Sequence, residues 1–129
     1  MESFTLSTTL PASPEAIYNA WLSSDGHSAM TGSPAEVEGV VGGAFKAWDG
    51  YIWGVTLEME RPHRILQAWR TSEFSEDSPH SRVEIRLEEV AEGTKVTLTH
   101  TGIPDGQGDG YKQGWEDYYF TPMRDYFSR

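Results

Sequence analysis

The residues able to move protons or hold a metal are four histidines, His27, His63, His80 and His100, and a scatter of carboxylates. The histidine spacings match no metal-ligating pattern such as a pair four residues apart. The chain has no cysteine, which excludes disulfides, thiolate metal sites and a cysteine nucleophile. His63 and His80 fall in predicted turns. His100 follows Val96 and Leu98 at two-residue spacing, so a strand there points all three side chains to one side. It then serves either as a core histidine satisfied by a tyrosine or a backbone group, or as a polar anchor in a pocket.

Asp25, Asp49, Glu58, Glu73 and Asp117 are the carboxylates a mechanism could recruit. General acid/base work needs two groups inside one pocket with displaced pKa values, and no such pair stands out. Asp49 is read as a turn former, Glu58 lies in an outward register, and Asp117 faces water. No G-x-S-x-G elbow, phosphate-binding loop, dinucleotide glycine pattern or EF-hand loop is present. The run Gly106-Gln107-Gly108-Asp109-Gly110 lacks the Lys-Ser/Thr of a phosphate loop and reads as a lead into a helix. No catalytic residue, metal or cofactor is therefore expected, and a binding protein is favoured over an enzyme.

Twenty acidic against ten basic side chains give a net charge of −10. Such a surface repels phosphate backbones and anionic bilayers, so neither nucleic acid nor membrane is an expected partner. No apolar run reaches the length of a membrane span, and Met1-Glu2-Ser3-Phe4 does not open a signal peptide. A cytoplasmic location and one domain over residues 1–129 are the expectations. Aromatic residues are plentiful, with 5 Trp, 6 Tyr and 5 Phe. They supply large buried areas and often line ligand cavities.

The elements follow from periodicity and punctuation. Phe4 to Leu10 reads as a strand. Ser13 as N-cap and Pro14 in the first turn start a short helix through Trp21, and Ser24 starts a second to about Met30. Short strands follow at Val37 and at Ala44 to Trp48. Asp49-Gly50 is a hairpin turn signal. Tyr51 to Glu60 is a strand whose Trp53, Val55, Leu57 and Met59 form the apolar face. Arg64 to Thr71, Arg82 to Glu88 and Thr94 to Thr101 complete a run of strands. A helix from about Gly108 or Tyr111 to Phe127 closes the chain, with Pro122 bending it or removing one hydrogen bond. Hairpin-linked strands with helices at both ends imply an α+β fold, an antiparallel sheet covered on one face.

Several of these residues also carry a family resemblance. Gly42-Gly43-Ala44-Phe45, Trp48-Asp49-Gly50, Gly54, Arg64-Ile65, Gln67-Ala68-Trp69-Arg70, Gly102-Ile103-Pro104, Gln113-Gly114-Trp115 and Tyr118-Tyr119-Phe120 resemble the activator of heat-shock protein 90 ATPase family, in its C-terminal-domain type. The resemblance spans roughly residues 4 to 128. It implies the helix-grip, START-like fold of the SRPBCC superfamily, in which a curved sheet of about six to seven strands wraps a long C-terminal helix. The expected function is binding of a small hydrophobic ligand between sheet and helix, with a stress-related setting. The cavity candidates are Phe45, Trp53, Leu57, Trp69, His100, Trp115, Tyr118 and Tyr119. A chaperone of the heat-shock protein 90 type is the alternative partner. A third reading is an enzyme on an aromatic or polyketide-like substrate, with His100 as acid/base. Gly114 is expected to let the helix approach the sheet.

Overall fold

A computed structural model describes all 129 residues. The chain runs β1 (Glu2–Leu10), α1 (Pro14–Trp21), α2 (Ser24–Thr31), β2 (Glu36–Val37), β3 (Ala44–Ala47), β4 (Ile52–Glu60), β5 (Arg64–Thr71), β6 (Ser81–Val90) and β7 (Gly93–Ile103). A continuous C-terminal helical segment follows: α3 (Gly108–Trp115), a π-helical turn (Glu116–Phe120) and α4 (Thr121–Phe127). The seven strands form one antiparallel sheet in the order β1-β7-β6-β5-β4-β3-β2. This is the helix-grip, START-like α+β fold.

The first helix is capped as the sequence predicts, and the second has its cap one residue before the predicted start, at Ser23. Ser13 accepts a hydrogen bond from the Ala16 N–H at 3.1 Å, with Pro14 in the first turn. Ser23 caps α2 through the Gly26 N–H at 2.8 Å. Gln107 gives α3 no side-chain cap. The Glu2 carboxylate serves instead, accepting from the Gly106 N–H at 3.0 Å and the Gly108 N–H at 2.7 Å. An anion at a helix N-terminus is favourable, and here it ties the first strand to the last helix.

The π turn ends at Phe120, two residues before Pro122. Proline has no N–H to continue an α-helical ladder, and the wider turn takes up the interruption. It also sets Trp115, Tyr119, Phe120 and Met123 all against the sheet, each buried.

The core lies on the concave side, where Leu10, Ile17, Trp21, Ile65, Trp69, Val83, Ile85, Leu98 and Trp115 are among the buried residues. One sequence expectation is overturned there. In β4 the inward residues are Ile52, Gly54 and Thr56, while Trp53, Val55 and Leu57 alternate with them. Pairing fixes this parity: Gly54 stands opposite the buried Trp69, and Thr56 opposite the buried Gln67. A register shift between Thr56 and Glu58 leaves Leu57 as the extra, bulged residue. Parity reverses beyond it, and Met59 rejoins the core side. Trp53 on the outer face lies under the Arg70 guanidinium, 5.8 Å from the ring centroid.

Gly54 is required for close approach. A Cβ on it would stand 1.8 Å from the Ala68 carbonyl oxygen and 2.9 Å from Phe45 Cζ. Phe45 is accordingly buried in the core beneath this crossing.

Candidate functional site

A groove of about 430 Å³ opens between the β3–β4 hairpin, the end of β5 and the C-terminal helix. The hairpin and the start of β4 contribute Trp48, Tyr51 and Ile52; β5 contributes Trp69. The helix contributes Gly110, Tyr111, Gly114, Trp115, Tyr118 and Tyr119.

The hairpin loop is Trp48 to Tyr51, between the paired Ala47 and Ile52. Asp49-Gly50 forms the turn there, but the left-handed stretch begins one residue earlier. Trp48 has φ 54°, Asp49 φ 57° and Gly50 φ 89°. A bulky residue in that region is strained and must be held by its surroundings. Trp48 is held edge-on to Tyr118 (centroids 5.3 Å apart) and to Tyr119 (6.3 Å). Its indole N–H is buried without a hydrogen-bond partner.

Behind the groove lie two polar networks. In the first, the Trp115 indole N–H donates to His100 Nδ1 at 3.1 Å. An indole only donates, so Nδ1 is the acceptor and the ring proton sits on Nε2. Nε2 then donates to Ser81 Oγ at 2.8 Å, and Ser81 Oγ donates to the Trp69 carbonyl at 2.7 Å. Burial pushes the His100 pKa down to about 3. His100 is fully buried with both ring nitrogens occupied. It does face the helix side, as its register predicts. It stands behind the groove walls rather than in them, with neither ring nitrogen turned to the groove.

The second network was not read from the sequence. His27 Nδ1 lies 2.9 Å from the Trp21 carbonyl, so it carries the proton, and Nε2 accepts from the Tyr119 hydroxyl at 2.8 Å. Burial lowers the His27 pKa to about 4, against the raising effect of the Trp21 carbonyl. Burial raises the Tyr119 pKa, which keeps its hydroxyl a donor. The Trp21 indole N–H donates to Gln67 Oε1 at 3.2 Å, and Gln67 Nε2 donates to Thr56 Oγ1 at 3.2 Å. At the groove's open end the Tyr111 hydroxyl donates to Gln107 Oε1 at 2.7 Å and meets Thr71 Oγ1 at 2.7 Å. Tyr51 donates to the Glu73 carboxylate.

The structure thus brings four of the eight cavity candidates, Trp69, Trp115, Tyr118 and Tyr119, to the groove. Phe45 is core, His100 lies behind the wall, and Trp53 and Leu57 lie on the other face of β4. Trp48, Tyr51 and Tyr111 were missed. Tyr111 had a signal, since it repeats with Trp115 and Tyr119 at four-residue spacing. The Trp48 ring points inward only because of its left-handed backbone, which no hydropathy pattern shows. Gly114 is also corrected. A Cβ on it would meet nothing nearer than Tyr118 Cδ2 at 3.8 Å, so this glycine does not serve helix–sheet approach.

Comparison with known proteins agrees with this fold. An HSP90 activator from Plasmodium falciparum superposes with a TM-score of 0.86 at 30% identity, covering 95% of this chain and 94% of that one. The Colwellia psychrerythraea Aha1, solved as a dimer, shares the fold with a TM-score of 0.80 at 18% identity, over 98% and 96% of the two chains. The Homo sapiens activator of 90 kDa heat shock protein ATPase homolog 1 is 27% identical over 123 residues, covering 95% of this chain. This chain spans about a third (36%) of that relative's length. The family described as activator of Hsp90 ATPase homolog 1-like protein matches residues 11–128, and this chain belongs to it.

Proposed function

We propose that this protein binds a small, flat, apolar molecule in the groove between the β3–β4 hairpin and the C-terminal helix. The observation that carries the reading is a pair of glycines. Gly110 and Gly114 sit one turn apart in α3 and both line the groove. Glycine inside a helix costs up to about 1 kcal/mol relative to alanine. The protein's own packing does not ask for it, since a Cβ on Gly110 would meet nothing within 4 Å and one on Gly114 only an ordinary contact. The helix gives up stability and leaves open space between aromatic rings. The volume, about 430 Å³, lies in the range of small-molecule sites.

Thermal denaturation tests this with 1-methylnaphthalene as the probe. The probe is expected to raise the melting temperature of the wild type. The Gly110→Ala/Gly114→Ala variant is expected to melt higher than wild type by several degrees, at about 1 kcal/mol or more of added stability, and to respond less to the probe. Gly114→Leu should abolish the response with the fold retained. If 1-methylnaphthalene and indole both leave the wild-type melting temperature unmoved, the reading fails.

A second reading rests on the Plasmodium falciparum likeness, which covers nearly all of both chains and belongs to an HSP90 activator. On this reading the protein docks on a heat-shock protein 90 type chaperone and raises its ATPase rate. The net charge of −10 makes such docking salt-dependent. The chaperone's ATPase rate, measured with and without this protein at low and high salt, should rise most at low salt. An unchanged rate together with no association at low salt rules the reading out.

A further inference from the structure

We propose that the groove selects organic cations, namely flat aromatic molecules carrying a permanent positive charge, such as N-alkylated heteroaromatic rings. The proposal rests on the groove being a ligand site and adds the charge class of its occupant. Seven of its ten lining residues are aromatic, and none is Lys, Arg or His. Ring faces carry the negative side of the aromatic quadrupole and attract cations.

The charges beside the groove have the matching sign. Tyr51, at its rim, is hydrogen-bonded to the Glu73 carboxylate. Asp49 occupies the hairpin between the lining residues Trp48 and Tyr51. No basic side chain of the adjoining strands or helix lines the groove. Arg70 lies between the Trp53 and Phe74 rings, 5.8 and 5.4 Å from their centroids, and donates to the Ser75 and Ser78 carbonyls at 2.7 and 2.9 Å. Lys46 pairs across from Trp53 on β4. Lys112 borders a separate polar depression with Leu6 and Glu116. With a net charge of −10, the field of the whole protein also draws cations toward its clefts.

The test uses three ring systems of one shape and different charge: N-methylquinolinium, 1-methylnaphthalene and 1-naphthoate. Each is titrated into the full chain while the indole N–H resonances of Trp48, Trp69 and Trp115 are followed by NMR. The cation is expected to bind about 10-fold more tightly than the neutral ring, within the range of cation–π interactions, and 1-naphthoate most weakly. Raising the salt concentration and introducing Glu73→Gln should each weaken the cation severalfold and leave 1-methylnaphthalene unchanged. Equal affinity for cation and neutral ring, or a preference for 1-naphthoate, overturns the charge selectivity while the apolar groove stands. A cation preference untouched by Glu73→Gln overturns the role given to that carboxylate. Binding of none of the three overturns the ligand site itself, and the charge selectivity with it.

Discussion

Taking the protein from pH 7 to pH 4 is expected to remove several kcal/mol of stability, most of it through His27 and His100. Each is neutral in the folded state because burial lowers its pKa, to about 4 for His27 and about 3 for His100. In the unfolded chain both return to about 6.5. Between those values the unfolded state binds more protons than the folded state, so stability falls as pH falls. The contribution is complete above about pH 6.5 and is lost progressively as the pH approaches the folded values. One pKa unit corresponds to about 1.4 kcal/mol, which gives up to about 3 kcal/mol from each histidine by pH 4. Against a total stability of about 5–15 kcal/mol, that is a large fraction.

The two histidines do not resist protonation equally. A second proton on His27 requires the Tyr119 hydroxyl to turn from donor to acceptor, which a hydroxyl can do. A second proton on His100 would sit on Nδ1, directly against the Trp115 indole N–H. An indole cannot accept, so two donors would face each other in a buried site. Carboxylates act lower on the scale. Burial raises the Glu84 pKa, but hydrogen bonds from Arg64 and Arg86 outweigh it and bring it below the ordinary value, so its loss comes after the histidines have begun to titrate. Urea midpoints between pH 8 and pH 4 read this directly. They should be level above about pH 7 and fall below pH 6.5. In His100→Gln the midpoint is lower throughout, and the acid slope is shallower. A midpoint unchanged from pH 7.5 to pH 5 would show that the folded protein already accommodates both protons.

The succession of strands and helices, the Ser13 cap and the terminal helix were legible because each rests on local chemistry. Ser13-Pro14 starts a helix, Asp49-Gly50 turns a hairpin, and Val96, Leu98 and His100 keep one parity along β7. Parity failed in β4 for a specific reason. Thr56 and Gln67 face inward with their polar groups satisfied by each other and by Trp21, while Trp53, Val55 and Leu57 are left outside. Hydropathy alternation ranks the side chains and cannot see that a buried amide has found partners 11 and 46 residues away. The groove was half legible for a related reason. Trp115 and Tyr119 follow helical spacing, but Trp48 reaches them through a strained backbone. His27, which anchors Tyr119, comes from a helix 92 residues earlier. No spacing rule within one element connects such residues.

Trp115→Ala is expected to cost about 4–5 kcal/mol, the largest effect of any single truncation around the groove. Trp115 is 3% exposed and joins the two halves of the site. Its ring lies 4.7 Å from Tyr119, 5.6 Å from Trp69, 6.0 Å from His100 and 6.2 Å from Trp21 between centroids. Removing a buried indole costs about 3–5 kcal/mol through lost transfer energy and the cavity left behind. Losing its N–H also orphans His100 Nδ1, at about 1–3 kcal/mol for a buried acceptor. The cavity would merge with the groove, which already reaches solvent, and water entering there recovers part of that penalty.

Trp115→Phe separates the two contributions. It keeps most of the ring contacts and drops only the donor, so it is expected to cost about 2 kcal/mol at pH 7.5. It also removes the N–H that opposes a proton on His100 Nδ1. The pKa of His100, followed by NMR, should rise in both variants, and the acid slope of the urea midpoint should become shallower. The two perturbations are therefore coupled: in a double-mutant cycle, Trp115→Phe and His100→Gln should together cost less than their separate effects. Additive costs would mean that the 3.1 Å contact between the two rings contributes nothing to stability, and that burial alone keeps His100 neutral.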